Sequence, residues 1–328
     1  MSTSISEHVA RIKLSYQDSP PKFILRAIYF TALLYILIAW RAIWTPDLLF
    51  VMFLLLFMLY GKGKQFLISF GPFALLLLTY DAFRGLAPFL NGHVHYWEMI
   101  DFDRWIGGGV IPTERLQHLW YHGGVQWYDY YFYLIYMCHF LTPWLIAIAI
   151  WKWRPQHYNR YVVAFLLLSY AGFLTYLLFP AAPPWMAAEM HLIPPMHKIS
   201  TDVWWSLGVH NYSEIYSKFS PNLVAAVPSL HAAYPTLMLL FVWRAFGWRW
   251  GAAFSWYPIS IWVGIVYMGE HYLIDALLGI LYACAAYVIT NLIFKRYGAR
   301  ARARLAVIKA RYHATRRRRS AGATQSPK

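Results

Sequence analysis

Eight runs of apolar residues divide this chain, and they fix its class before any motif is read. They are Phe23–Trp40, Leu48–Tyr60, Phe66–Tyr80, Tyr131–Trp151, Tyr161–Phe179, Leu230–Phe246, Ala252–Met268 and Tyr272–Phe294. A hydrocarbon core about 30 Å thick takes about 20 residues of helix. The second and third runs are short, so tilt, flanking residues or a partly re-entrant course stay open for them. Charged residues are 13% of the 328, about half the share in an average soluble domain. A soluble globular enzyme, a disordered chain and a disulfide-stapled module are thereby excluded. The expected fold is an all-α integral membrane protein, a multi-span helical bundle over residues 23–294 with about eight spans. Residues 1–22 form a polar, cytoplasmic N-terminal segment with no cleavable signal expected. Residues 295–328 form a basic cytoplasmic tail, disordered at its end. Cys138 and Cys284 both sit in apolar runs and read as packing residues.

Basic residues stay on the cytoplasmic side during insertion. With the C-terminus inside and the spans alternating, 23 of the 29 Lys and Arg fall on inner segments. Six fall outside: Arg41, Arg84, Arg104, Arg115, Lys198 and Lys218. Both termini are therefore expected in the cytoplasm, and the membrane to be the plasma (inner) membrane. The tail from Lys295 is expected to meet the anionic inner leaflet rather than nucleic acid. Two long segments, 81–130 and 180–229, face outward. They are rich in Trp, Tyr, His, Gly and Pro, and interfacial helices account for most of their residues.

Ionisable groups at span mouths are costly and mark function. One cluster is Pro228-Ser229-Leu230-His231-Ala232, with Ser229 as a helix N-cap and His231 in the first turn. A helix N-terminus attracts phosphate. The other is Gly269-Glu270-His271-Tyr272-Leu273-Ile274-Asp275, where a four-residue spacing puts His271 and Asp275 on one helical face. Helix six runs inward from His231 and helix seven returns, so both histidines lie at the outer face. Two histidines and a carboxylate suit phosphoryl transfer. One imidazole attacks phosphorus, the carboxylate fixes its tautomer, and the other imidazole serves the leaving and entering oxygens. No metal or cofactor is required by that chemistry.

These residues resemble the second and third signature motifs of the type 2 phosphatidic acid phosphatase superfamily, and more closely its inositol phosphorylceramide synthase branch. Supporting features are Asp81-x-x-Arg84-Gly85, a tyrosine followed by His139-Phe140-Leu141-Thr142-Pro143, and Pro180-Ala181-Ala182-Pro183-Pro184-Trp185. The resemblance implies a six-helix catalytic core with the first two spans as additions. It also implies that His231 is the general acid, His271 the nucleophile and Asp275 its orienting carboxylate. The phosphatase first motif is absent; Lys152-Trp153-Arg154-Pro155 is faintly similar but lies on the cytoplasmic side. Gly264 and Ile265 stand where the third motif has Ser-Arg. Two phosphate-gripping cations are thus missing.

Arg84, beside Asp81 and just past the third span, is the expected replacement, since its planar fork suits two phosphate oxygens. Lys218 and Lys198 come next, and Ser229 offers a hydroxyl or an amide. The expected activity is a membrane lipid phosphotransferase or phosphatase at the outer face. Its partners are membrane lipids: a phospholipid or polyprenyl-phosphate donor, and a lipid or polyol alcohol as acceptor. Transfer and hydrolysis both stay open. Two rival classes are a polyprenyl-phosphate-dependent glycosyltransferase, using Asp101 and Asp103 in an outward Asp-x-Asp, and a non-enzymatic lipid transporter. His139, inside the fourth span, reads as a hydrogen-bonded bundle histidine.

Overall fold

The computed structural model describes residues 45–211 and 222–323, with 24–26, 28–29, 31–32 and 35 before them. The expected first span lies largely outside the described residues, and Lys218 wholly so. Helices α1 (Pro46–Leu59) and α2 (Gly63–Leu90) form a hairpin. Two short helices follow, α3 (Trp97–Ile106) and α4 (Pro112–Trp120). The long helices α5 (Trp127–Trp153) and α6 (Pro155–Leu178) come next. Two more short helices, α7 (Pro184–Glu189) and α8 (Ile199–Ser206), lead to α9 (Leu230–Phe246). The chain turns at α10 (Trp248–Phe254), rises through α11 (Trp256–Tyr267) and descends in α12 (Leu273–Ala323). There are no named strands among the described residues. The protein is an all-α membrane protein, and among the described residues four helices are long and apolar enough to cross a bilayer, with the shorter apolar α1 beside them.

Several boundaries differ from the sequence reading. The third run ends at Tyr80, but α2 continues to Leu90 and keeps Asp81 and Arg84 within the helix. The seventh run is two helices joined at Ser255, whose hydroxyl bonds back to Ala252 O at 2.7 Å. The eighth starts at Leu273, one residue late, so His271 precedes the helix. Beyond the membrane-length stretch, the backbone of α12 continues as helix through the basic residues to Ala323.

α9 is the centre of the bundle and packs on α5, α6, α11 and α12. Its Ala232, Ala233, Leu237, Met238 and Phe241 are fully buried. Between helices, tyrosine tips meet Ser or Thr hydroxyls: Tyr170–Thr79, Tyr131–Ser260, Tyr257–Thr142, Tyr282–Thr175 and Tyr234–Ser169, at 2.7–2.9 Å. Such pairs contribute about 0.6 kcal/mol each in a bilayer, and they set the rotation of each helix against its neighbours. The segments between the long helices are laced by backbone bonds. Ala181 donates to Val224 O at 2.8 Å, Ala226 donates to Ala181 O at 3.2 Å, and Ala182 donates to His95 O at 3.0 Å. The Pro180–Trp185 stretch thereby holds the strand of chain that leads into Ser229.

Candidate active site

α9 begins at a capped end. Ser229 has extended backbone, and its Oγ accepts the Ala232 amide at 3.3 Å, as an N-cap serine does. His231 follows in the first turn. Pro235 has no amide proton for the His231 carbonyl, and the rest of the α9 face is locked into the core.

α12 begins in another way. The chain leaves α11 through a tight turn with Gly269 at φ +74°, a conformation that favours glycine. The amides of Glu270 and His271 both donate to Ile265 O at 3.1 Å. Asp275, three residues past Tyr272, accepts the Tyr272 amide on Oδ2 at 2.9 Å, which is half of a capping box. The other half comes from α3: Asp103 accepts the amides of Leu273 and Ile274 at 2.8 and 3.1 Å. Asp275 Oδ2 also faces His271 Nδ1 at 3.3 Å. His271 and Asp275 therefore meet because the turn folds back on the helix, not because they share a helical face.

The two motifs close on each other. His231 Nδ1 lies 3.1 Å from His271 Nε2, and the Ser229 amide donates to Asp275 O at 3.0 Å. Gly279 permits this approach, since a Cβ there would stand 2.3 Å from Ser229 O. His271 and Asp275 are buried, and Asp275 Oδ1 has no hydrogen-bond partner. With the Nδ1 proton of His271 directed at Asp275, its Nε2 lone pair accepts from His231 Nδ1–H; the network assigns these tautomers.

The short helices α4, α7 and α8 and the loops beside them buttress the turn that carries His271. Gln117 of α4 donates to Tyr267 O at 3.0 Å and to His197 O at 2.7 Å, and accepts the His197 amide at 2.9 Å. The Trp185 amide reaches Gly269 O at 3.3 Å, and the Ile199 amide reaches Met268 O at 3.3 Å. Ser200 donates to the buried Glu270 carboxylate. The ammonium of Lys198 lies 3.8 Å over the Trp185 ring; burial lowers its pKa, while Glu270 and Glu189 draw it back up. Gln117 carries no local signal in the sequence, because its partners are backbone groups far along the chain.

Arg84 pairs with Asp81 at 2.9 Å inside α2, three residues apart. It is close enough for its charge to act on His139 and His231, and its Nε is buried without a partner. Ser229 is fully buried beneath His231. Arg154, of the faint first-motif likeness, joins α5 to α6 and donates to Ala245 O at 2.8 Å, at the far end of α9. Asp101 is exposed, whereas Asp103 is fully buried with both oxygens on amides. The two carboxylates of the Asp-x-Asp do not share a site.

His139 departs from the bundle-residue reading. It is buried, and its centroid lies 4.4 Å from that of His231 and 5.0 Å from that of Tyr234. Its Nδ1 has no partner. Tyr136, one turn earlier, stacks on His231 at 4.4 Å.

Comparison with known proteins agrees with the motifs. The PAP2 superfamily model matches residues 97–289. The chain is similar to the phosphoinositol dihydroceramide synthase of Bacteroides thetaiotaomicron, 28% identical over 241 residues covering 70% of this chain and 78% of that protein. It is also 28% identical over 149 residues to the inositol phosphorylceramide synthase of Candida albicans, covering 42% of this chain and 31% of that protein. No solved structure matches. The match spans more than half of the chain and includes both histidine motifs, and the chain belongs to the PAP2 superfamily, in its inositol phosphorylceramide synthase-like branch.

Proposed function

We propose that this membrane lipid phosphotransferase moves a phosphorylated headgroup from a phospholipid to an alcohol through a covalent phosphohistidine on His271. The observation that carries the reading is the contact of 3.1 Å between His231 and His271, with Asp275 behind His271 at 3.3 Å. His271 Nε2 attacks phosphorus, forming a P–N bond as the P–O bond to the lipid alcohol breaks. Protonated His231 gives its proton to the departing oxygen. His231 then takes the proton of the acceptor hydroxyl, whose oxygen forms the new P–O bond as the P–N bond breaks. Asp275 holds the Nδ1 proton and stabilises the positive charge on His271.

The resting site is closed. Near-attack contact takes about 3–3.5 Å between nucleophile and phosphorus, so donor binding draws the two rings apart. The arriving phosphate favours the imidazolium form of His231. Arg84 binds phosphate oxygens, with Asp81 fixing its fork, and Ser229 and Lys218 complete the headgroup contacts. The reaction needs no metal ion. The relatives suggest the substrates: an inositol phospholipid as donor and a dihydroceramide or ceramide as acceptor. The bias of 23 basic residues inside against six outside supports cytoplasmic termini and a site on the extracytoplasmic face of the plasma (inner) membrane. The tail from Lys295 binds anionic inner-leaflet lipids.

Purified protein given phosphatidylinositol, a short-chain ceramide and EDTA is expected to form inositol phosphorylceramide and diacylglycerol. His231→Ala is expected to slow this by about 10²–10⁴-fold, the usual worth of a general acid–base. Turnover that survives His271→Ala contradicts the reading.

A further inference from the structure

We infer that His139, with Tyr136 on the same face of α5, binds the acceptor hydroxyl and decides that the headgroup goes to an alcohol rather than to water. The inference deepens the phosphohistidine reading and rests on it. Three observations carry it.

First, His139 is held by ring contacts rather than hydrogen bonds. Tyr234 stacks on it with an interplanar angle of 17°, and Phe165 backs Tyr234 at 4.2 Å. Neither ring nitrogen has a protein hydrogen bond among the described residues, and Nδ1 is enclosed. Buried polar atoms in native proteins are almost all partnered. A buried nitrogen left without a partner beside a reactive centre is where a ligand, admitted as the site opens, completes the set.

Second, its place is on the acid–base side of the site. Its ring touches His231 and not His271. The leaving oxygen and the entering oxygen both use His231 in turn, so a group beside His231 meets the oxygen that enters. An alcohol oxygen giving its proton to His231 still has lone pairs to fill, and an imidazole N–H of His139 supplies that bond.

Third, the surroundings favour carbon over water. Tyr136 and Tyr234 present ring faces on either side of His139 and His231. A hydroxyl carried on a carbon chain gains apolar contact with those faces, and a lone water does not. Arg84, whose charge acts on both His139 and His231, keeps the phosphate at the same place.

The test uses full-length enzyme with phosphatidylinositol and a short-chain ceramide, comparing wild type with His139→Phe and His139→Gln. Mass spectrometry measures the ratio of inositol phosphorylceramide to free inositol phosphate. Loss of one hydrogen bond to the acceptor should lower this ratio about tenfold in His139→Phe. His139→Gln, whose amide N–H replaces the donor, should recover part of it and a lower KM for ceramide. A ratio unchanged in both variants, with donor cleavage and transfer falling by one common factor, overturns the inference. Should His139→Phe fail to fold, the ratio and ceramide KM of His139→Gln decide: wild-type values overturn it. Failure of the parent reading looks different, since wild type would then leave no adduct on His271 while making product.

Discussion

Asp103 caps a helix that lies 170 residues away: its Oδ2 accepts the Leu273 amide at 2.8 Å, and Oδ1 accepts that of Ile274 at 3.1 Å. The first amides of α12, where a helix dipole is positive, thus meet a carboxylate of the protein instead of phosphate. The same bonds fix the register of Asp275 against His271. Asp103→Ala should lower stability by about 1–2 kcal/mol, as loss of a cap does. It should also lower kcat more than KM, since His271, the proposed nucleophile, loses its backing. Thermal unfolding and steady-state kinetics check both.

The same carboxylate gives a pH signature. Burial pushes the Asp103 carboxyl up to about 6, against the pull of the Leu273 and Ile274 amides, and Asp275 adds to the rise. The raised value means the folded protein holds the proton more tightly than the unfolded chain. Its stabilising effect is full below the unfolded pKa and is lost as pH rises through about 6. Activity runs the other way, because two amides need an ionised acceptor. Melting temperature should therefore fall as pH rises from about 4 to about 6, and turnover should rise as the carboxyl ionises near 6. In Asp103→Asn the step near 6 should vanish from both curves; its persistence in both assigns it to another group.

Gly279 is a steric gate between the motifs. Its missing side chain admits Ser229 O, which would lie 2.3 Å from a Cβ. Gly279→Ala should push α12 from the Ser229 cap and cost about 1–3 kcal/mol, the usual range for overpacking. Turnover should fall at least as much as in a control substitution at exposed Leu277. An alanine variant with wild-type melting and turnover shows that the helices part without consequence.

Asp275→Asn keeps shape but reverses the tautomer of His271, placing the proton on Nε2 and removing the attacking lone pair. Turnover should drop by about 10⁴-fold, as when a histidine-orienting aspartate is converted elsewhere. Circular dichroism should stay unchanged. A loss below tenfold denies Asp275 the orienting role.

The bundle was legible because apolar runs of membrane length have few other folds available. The ends of the runs were less so. Asp81 and Arg84 read as the start of a loop, yet they neutralise one another three residues apart within α2. His231 and His271 were found because each sits at a span mouth, and span alternation places both at one end. Asp103 was read as one half of an Asp-x-Asp, since nothing in a sequence marks a carboxylate whose partners are backbone amides. Gln117 escaped for the same reason, since its partners are backbone groups, and Glu270 was read only as part of the His271 cluster because its partner, Ser200, lies 70 residues away. His139 was visible as a residue but not as a neighbour of His231, because the rotation of α5 is set by its pairs with α11, such as Tyr131–Ser260 and Thr142–Tyr257.

The central claim is covalent chemistry at one nitrogen. Enzyme mixed with phosphatidylinositol alone, quenched within one turnover at alkaline pH and digested, should yield a peptide carrying phosphoinositol on His271, acid-labile and absent from His271→Ala. Product formed at the wild-type rate with His271 unmodified throughout would contradict the account.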